Sequence, residues 1–409
     1  MDDKNKMQCR VCSSNSLRLA IDLGNQQWAN NFLTANLVGK ELSYPLRVVW
    51  CEDCHTAQLD YTVAKEVMFS DHTYCSGVTR TLSHHFNDLA KEVTNRFFRN
   101  KANKTVFDIG SNDGTALKSY QMLGYDVLGV ESSVRIAEIA NASGVPTINK
   151  FFNLEVAKEI NRKFDVINAS GVFFHLEELH SVTEGIKFLL DKNGVFVVQF
   201  IYMKSIIDNM AFDQIYHEHL LYYTLRTIDV LLKKHGLSMF DAYLSPIHGG
   251  SIIGFVTHIG DKGKKRRSAR LMKMLAEEDA SKINEFETYE KFALRIQEKK
   301  KEVIAYLEEA KLNHKVVFGM GAPVKGNTLL NTFGINSQYI QCLVEKNPMR
   351  DGLFAPGSHL PIVLEKDVKQ QPDIYFVLAW NFKKEILENN KELIEKGVRF
   401  YFPVNPKEV

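Results

Sequence analysis

Two Cys-x-x-Cys pairs near the start of the chain, Cys9/Cys12 and Cys51/Cys54, constrain its folding more than any other feature. Each pair turns two thiols toward one point, and two such turns complete the tetrahedron that zinc prefers. A redox pair is usually single and opens a helix beside a strand. Here there are two, each followed by polar turn-forming residues, Ser13-Ser14-Asn15 and His55-Thr56. The gap between the pairs is wider than in a common zinc finger, so a small strand pair is expected to fill it. Four protein ligands would leave no open position, which makes the expected zinc structural. Four unrelated thiols is the competing reading. Cys75 and Cys342 have no partner by spacing.

The 409 residues allow roughly two or three domains, each able to bury a core. Net charge is +2, so no global field draws the chain to nucleic acid or to an anionic membrane. The sequence contains no apolar run of about eighteen residues, the length needed to span a bilayer. Met1 to Lys6 is polar and offers no signal-peptide core. These features lead to the expectation of a cytoplasmic protein without nucleic-acid or membrane partners, with a monomer as the default state.

Three segments follow from the pattern: a cysteine-paired zinc-binding domain over 1–75, a central domain over 76–260, and a connecting helix with a smaller α/β domain over 261–409. The central segment opens on Leu82 to Val93, apolar at helical spacing. Buried strands are then expected at Thr105–Ile109, Tyr125–Glu131, Phe164–Ala169 and Gly194–Phe200, with helices from Thr115 and from Arg135 to Ala142. Such alternation predicts a parallel, Rossmann-like sheet with covered faces. Lys262 to Arg267 is a basic run, and Glu277, Glu278 and Asp279 follow it. That mixture suits a solvated loop feeding a connecting helix better than a nucleic-acid arm. In the last segment, strands are expected at Lys315–Phe318, Tyr339–Glu345 and Asp373–Leu378.

Asp108-Ile-Gly-Ser-Asn-Asp-Gly114 sits between a predicted strand and a predicted helix. Glycines there let a ligand approach the backbone, and the helix start offers N–H groups. The spacing is neither G-x-G-x-x-G nor a phosphate loop. Asp108, the turn Gly110, Ser111, Asn112, Asp113 and Gly114, and Glu131 at the next strand end suit S-adenosylmethionine instead. Asp108 would meet the amino group of the methionine moiety and Glu131 the ribose hydroxyls. Alternatively, Asp108 caps a turn and Glu131 is a surface acid.

The densest cluster is Gln214-Ile-Tyr-His-Glu-His-Leu-Leu-Tyr-Tyr223. It lacks the i, i+4 histidines of a helical zinc protease. A proton-transfer site needs a base near neutral pKa, an acid to orient it and a phenol to hold developing charge; His219, Glu218 and Tyr216 supply those roles. The competing reading makes them polar residues that hold a loop. For His217, which has no obvious role, a structural place is the better expectation.

The two cysteine pairs, Tyr74-Cys-Ser-Gly-Val-Thr-Arg-Thr81, the Gly-Ser-Asn-Asp-Gly turn, Tyr216-His-Glu-His219, His248-Gly-Gly-Ser251 and Val324-Lys-Gly-Asn-Thr-Leu-Leu330 occur in one order. Together they resemble the S-adenosylmethionine-dependent C-methyltransferases that act on nucleotide-linked 4-keto sugars in deoxysugar biosynthesis. The resemblance runs nearly end to end. It implies a small zinc domain, a central cofactor domain and a C-terminal α/β domain. It places His219 on the family's proposed base and Tyr216, Glu218, His175 and Tyr74 on its other active-site side chains. It also puts Tyr202, His248 and Lys325 beside the sugar.

Two positions depart from the family pattern. Ile253 stands where an arginine usually follows His-Gly-Gly-Ser, and Gln199 where a strand-end glutamate is usual. Ser170-Gly-Val-Phe-Phe-His175 replaces the family's Asn-Val-Phe-Ala-His. The implied reaction removes a proton beside the ketone and methylates the resulting enolate, with carbon 3 of a 4-keto-6-deoxy sugar as the expected acceptor and carbon 5 open to the same chemistry. An O- or N-methyltransferase, or a sugar-binding or oxidoreductive protein using the turn Gly319-Met-Gly-Ala-Pro-Val324, are the rival classes.

Overall fold

The computed structural model describes residues 7–69, 80–260 and 266–404. Tyr74, Cys75 and the start of the basic run at 262–267 lie outside the described residues. In the N-terminal region the two cysteine turns flank an antiparallel pair, β1 (Leu17–Gln27) and β2 (Ser43–Cys51), followed by β3 (Ala57–Leu59). The intervening strand pair is therefore present. A strand from far along the chain, Leu221–Tyr222, pairs with β3 and completes the sheet.

The central sheet holds β4 (Thr105–Ile109), β5 (Asp126–Glu131), β6 (Thr147–Asn149), β7 (Phe164–Ser170) and β8 (Leu190–Ile201), all parallel in the order β6-β5-β4-β7-β8. The Leu221–Tyr222 strand is β9 in chain order. Two further strands, β10 (Leu237–Ser245) and β11 (Ser251–His258), extend the edge beyond β8, with β11 antiparallel to both neighbours. The expected strands are parallel, and β10 and β11 are additions to that sheet. A hairpin-like return through Pro246 to Gly250 lets β11 enter antiparallel, because no crossover helix is needed between it and β10.

The C-terminal domain is a five-stranded parallel sheet: β12 (Val317–Met320), β13 (Leu343–Glu345), β14 (Ile362–Leu364), β15 (Ile374–Val377) and β16 (Arg399–Tyr401), ordered β14-β13-β12-β15-β16. Between it and the central sheet run two helices, Ala269–Ser281 and Phe286–Leu312, where one connecting helix was expected. The acidic run in the first is only partly solvated. Glu278 is fully buried and accepts hydrogen bonds from the Leu225 and Arg226 N–H groups and from the Tyr202 hydroxyl. It caps the exposed donors at the start of the helix Leu225–Lys234.

Among the described residues, no helix is long and apolar enough to cross a membrane.

Candidate active site

Cys9, Cys12, Cys51 and Cys54 bring their four sulfurs within 4.8 Å of one another. The closest pairs are Cys9–Cys54 at 3.4 Å and Cys12–Cys51 at 3.5 Å. A tetrahedron with zinc–sulfur bonds of about 2.3 Å needs sulfurs about 3.8 Å apart, so the donor set fits the ion with small adjustment. The hydrogen bond between Cys9 and Cys54 draws the Cys54 thiol down to about 5 and pushes Cys9 up, and burial raises Cys12 to about 11.

At the carboxyl end of β4 the chain turns at Gly110, with φ +66°. A Cβ there would lie 2.6 Å from Val172, so the turn and the loop after β7 close together only around glycine. Asp108, Gly110, Ser111, Asn112 and Ser170, with Phe86 and Ala116, line a small cleft. Asp108 accepts the amide of Asn168 at 2.7 Å. Burial pushes its carboxyl up to about 7, the Asn168 bond opposes the rise and the nearby Glu131 adds to it. A buried acid so destabilised is matched to a cationic ligand group. Ser111 carries a buried hydroxyl without a hydrogen-bond partner, a second polar group suited to a ligand.

Glu131 is buried at the end of β5 and accepts the Asn112 N–H at 3.1 Å and the Ser133 N–H at 2.9 Å. Through these bonds it holds the glycine turn next to the cleft. Asp113 and Gly114 shape the helix start: Asp113 accepts the Thr115 N–H and hydroxyl, and Gly114, with φ +80°, precedes the helix Thr115–Gln121.

Tyr216 to His219 forms a tight turn, neither strand nor helix, closed by the His219 N–H on the Tyr216 carbonyl at 2.8 Å. The turn sends its side chains different ways. His219 faces inward, buried, with the Tyr216 ring tilted against it at 3.9 Å between centroids and His175 at 5.1 Å. Its Nδ1 lies 2.7 Å from the Gln214 carbonyl. A carbonyl only accepts, so Nδ1 carries the proton and Nε2 the lone pair. Burial holds its pKa well below the usual histidine value, and positive charge on His175, His248 and Lys325 would oppose protonation further.

Glu218 corrects the expected role. Its carboxylate accepts the indole N–H of Trp28 at 2.9 Å, and its backbone carbonyl takes the His175 Nδ1 proton. The orienting group for His219 Nδ1 is thus the Gln214 carbonyl, because the turn swings the next-door carboxylate toward the zinc domain. His217 packs edge-on to Tyr44 of β2, buried, as its structural reading anticipated.

Tyr202 is also corrected. Its hydroxyl donates to buried Glu278 at 2.9 Å, which commits that proton to tying the end of β8 to the helix Ala269–Ser281 instead of holding a sugar. Gln199 accepts the His85 Nε2–H at 3.0 Å, and Ile253 lies directly across from it on β11. The two departures from the family pattern therefore face each other: an acid and a base are replaced together by a neutral amide and a buried aliphatic.

Lys325 and His248 reach the same region from separate elements. His248 sits in the left-handed region (φ +57°) beside Gly249, whose Cβ would lie 2.5 Å from the Trp380 ring. Lys325, in the first turn of the helix Val324–Phe333, places its ammonium 3.5 Å from the centre of that same ring. Gln214, Asp213 and Trp380 escaped sequence reasoning. The first two flank the Tyr-His-Glu-His run, which was the available signal; nothing in the sequence marks Trp380.

A family model for a C-methyltransferase C-terminal domain matches residues 246–405, one for a zinc binding domain matches 9–69, and one for a methyltransferase domain matches 82–241. The C-methyltransferase NovU of Streptomyces niveus is 31% identical over 402 residues, covering 97% of this chain and 95% of NovU. The chain belongs to the C-methyltransferase family. Its methyl donor is S-adenosylmethionine, and its N-terminal domain is zinc-binding, with the four clustered cysteines as a donor set that suits the ion. Among solved structures, a methyltransferase from Clostridium acetobutylicum shares 14% identity over 48% of this chain and 96% of its own, with a TM-score of 0.36. The magnesium protoporphyrin IX methyltransferase of Synechocystis PCC 6803 shares 14% over 43% and 83%, with a TM-score of 0.35.

Proposed function

We propose that this C-methyltransferase acts on carbon 3 of a nucleotide-linked 4-keto-6-deoxy sugar through an enolate, in deoxysugar biosynthesis in the cytoplasm. The observation that carries the reading is the fixed tautomer of His219. Its Nδ1 proton is held by the Gln214 carbonyl, so a neutral imidazole packed between the Tyr216 and His175 rings keeps its Nε2 lone pair for a substrate proton. A proton next to a ketone is acidic enough for such a base, whereas methylation of a plain amine needs no comparable proton chemistry.

S-adenosylmethionine supplies an electrophilic methyl group when bound. Asp108 and the Gly110–Gly114 turn would hold its methionine end and Glu131 its ribose. His219 removes the substrate proton, Tyr216 packs the imidazole in place, and positioning of carbon against methyl supplies much of the remaining acceleration. Tyr74, outside the described residues, stays a candidate by resemblance alone.

The test is a panel of dTDP-, GDP- and CDP-linked 4-keto-6-deoxy sugars, read for methyl gain by mass and for exchange of the α-hydrogen with deuterium. His219→Asn should reduce both by about 10²–10⁴ while leaving cofactor affinity near wild type. Exchange that persists when methylation is lost would assign His219 to positioning and place the base elsewhere.

A further inference from the structure

Asp213 is fully buried, and one of its carboxylate oxygens has no hydrogen-bond partner. The other accepts the indole N–H of Trp380, also fully buried, at 2.6 Å. Across the indole face sits the Lys325 ammonium. The ring therefore joins a cation on its face to an anion at its N–H edge. Three contacts fix the indole: Asp213 at the edge, Lys325 on the face, and Gly249 pressed against the far end of the ring.

A buried carboxylate is costly unless a positive charge compensates it. Asp213 supplies the charge that favours the ammonium, against a burial that pushes Lys325 down to about 8. A cation–π contact engages the ammonium's charge without a lone-pair acceptor, so Lys325 keeps N–H donors for a ligand. The positive field of Lys325 reaches both His219 and His248. The base and the cation are joined through neighbouring residues, although they are more than a hundred residues apart in sequence: Asp213, which holds Trp380, precedes Gln214, whose carbonyl bonds His219, and Gly249 beside His248 packs against the same indole.

We propose that Lys325 is the electrophile of the reaction, donating a hydrogen bond to the substrate's ketone oxygen as it becomes an enolate, and that Asp213 positions the ammonium through Trp380. This rests on the enolate reading above. His219 Nε2 takes the proton from the carbon beside the ketone. The C–H electron pair becomes a C=C bond, and the carbonyl π pair moves to oxygen, where Lys325 Nζ meets the charge. When that pair returns, the carbon bonds to the methyl group, and the donor sulfur leaves as a neutral thioether with the electrons of its broken bond.

The charges around Lys325 favour a single oxyanion over a diphosphate. The titratable groups facing it are Asp213 from the turn Phe212–Gln214, His219 from the next turn with His175 behind it, and His248 from the β10–β11 return with His85 beyond. One ammonium balanced by one carboxylate leaves no net positive charge to hold a diphosphate, so what Lys325 offers is its N–H donors, to a single oxygen.

The experiment measures α-hydrogen exchange in deuterium oxide, without cofactor, using whichever sugar of the dTDP-, GDP- and CDP-linked panel wild-type protein exchanges fastest. Lys325→Met should slow exchange by about 10²–10³, the usual loss for one oxyanion donor, with S-adenosylmethionine affinity within twofold of wild type. Lys325→Arg, which keeps the charge, should exchange faster than the Met variant. Asp213→Asn should move the alkaline limb of the kcat/KM profile, near pH 8 in wild type, to lower pH, because the ammonium loses its counter-charge. Trp380→Phe keeps the ring face and loses the N–H, so it should move the limb the same way by less; it stands in if Asp213→Asn does not fold.

Lys325→Met with wild-type exchange and kcat but a raised KM would overturn the proposal and make Lys325 a phosphate ligand. An alkaline limb unmoved in both positioning variants would overturn the part of Asp213. Loss of exchange in His219→Asn with full exchange in Lys325→Met would sink this proposal alone. Wild-type methylation without any exchange on every sugar of the panel would sink the enolate reading beneath it.

Discussion

The central and C-terminal domains repeat one arrangement and put it to opposite ends. β6-β5-β4-β7-β8 and β14-β13-β12-β15-β16 are the same parallel order. In each, the middle strand runs into a glycine turn and a helix, and its neighbour ends in a glutamate. The glutamate takes an N–H of that turn: Asn112 to Glu131 at 3.1 Å, Ala322 to Glu345 at 2.8 Å. Gly110 and Gly321 match in register, since their N–H groups bond the carbonyls of Val130 and Val344.

What surrounds the turns differs. Asp108, Ser111 and Asn112 line an open cleft in the central domain, and the corresponding positions of the other turn are Gly319, Ala322 and Pro323. Arg350 pairs with Glu345 at 3.5 Å, bonds the Ala322 carbonyl and stacks on Phe32 at 4.4 Å. Leu33 bridges Phe354 alongside. The second crevice is therefore plugged, in part by a loop of the zinc domain. A shared topology offers a ligand crevice, and the polar lining decides whether it is used.

The largest effect is expected from the zinc. Structural zinc carries folding free energy of order 10 kcal/mol in small domains. Cys51→Ser should unfold the N-terminal module and release the Phe32–Leu33 plug. Amide hydrogen exchange should then rise across residues 319–324, while S-adenosylmethionine binding by the central cleft survives. Equal loss of protection at 108–114 would break the contrast between the crevices, and metal analysis showing no zinc in reduced protein would remove its premise.

The paired glutamates come next. Glu131→Ala should weaken S-adenosylmethionine binding by about 1.5–3 kcal/mol, the range for a hydrogen bond to a charged group. Glu345→Ala should leave that affinity unchanged and lower stability by about 1–3 kcal/mol, since it strands the N–H groups of Ala322, Lys346 and Asn347. NAD should shift the melting temperature of neither protein. Calorimetry and thermal denaturation read all three, and NAD binding would revive the oxidoreductive class.

The smallest effect concerns pH. With its carboxyl near 7, Asp108 must lose a proton to hold a cationic amino group. Affinity for S-adenosylmethionine should be full above that pH and fall as pH drops through it, by at most about tenfold per unit. Asp108→Asn should flatten the profile. A flat profile in wild type would detach Asp108 from the methionine end.

Much of this was legible from neighbours in sequence. The Leu82–Val93 helix stands at Arg80–Val93, and the strand at Thr105–Ile109 and the helix start at Thr115 stand where periodicity put them. Expected Tyr339–Glu345 shrinks to Leu343–Glu345, because the Tyr339 and Ile340 N–H groups bond the Asn336 carbonyl in a turn. At the site, His219 was legible as the candidate base from its company. Its orienting partner was not, since Glu218 is adjacent in sequence yet turned toward Trp28.

The sequence by itself determined the four-cysteine cluster, the glycine turn after β4 and the order of the domains. Each depends on spacing within a few residues, where backbone geometry leaves few choices. Only the tertiary structure decided that Glu278 is buried under Tyr202, that the Gln214 carbonyl sets the His219 tautomer, and that Asp213 meets Trp380 across 167 residues. Those partnerships form because packing expels water from polar groups and leaves each to find whichever donor or acceptor the fold brings within reach.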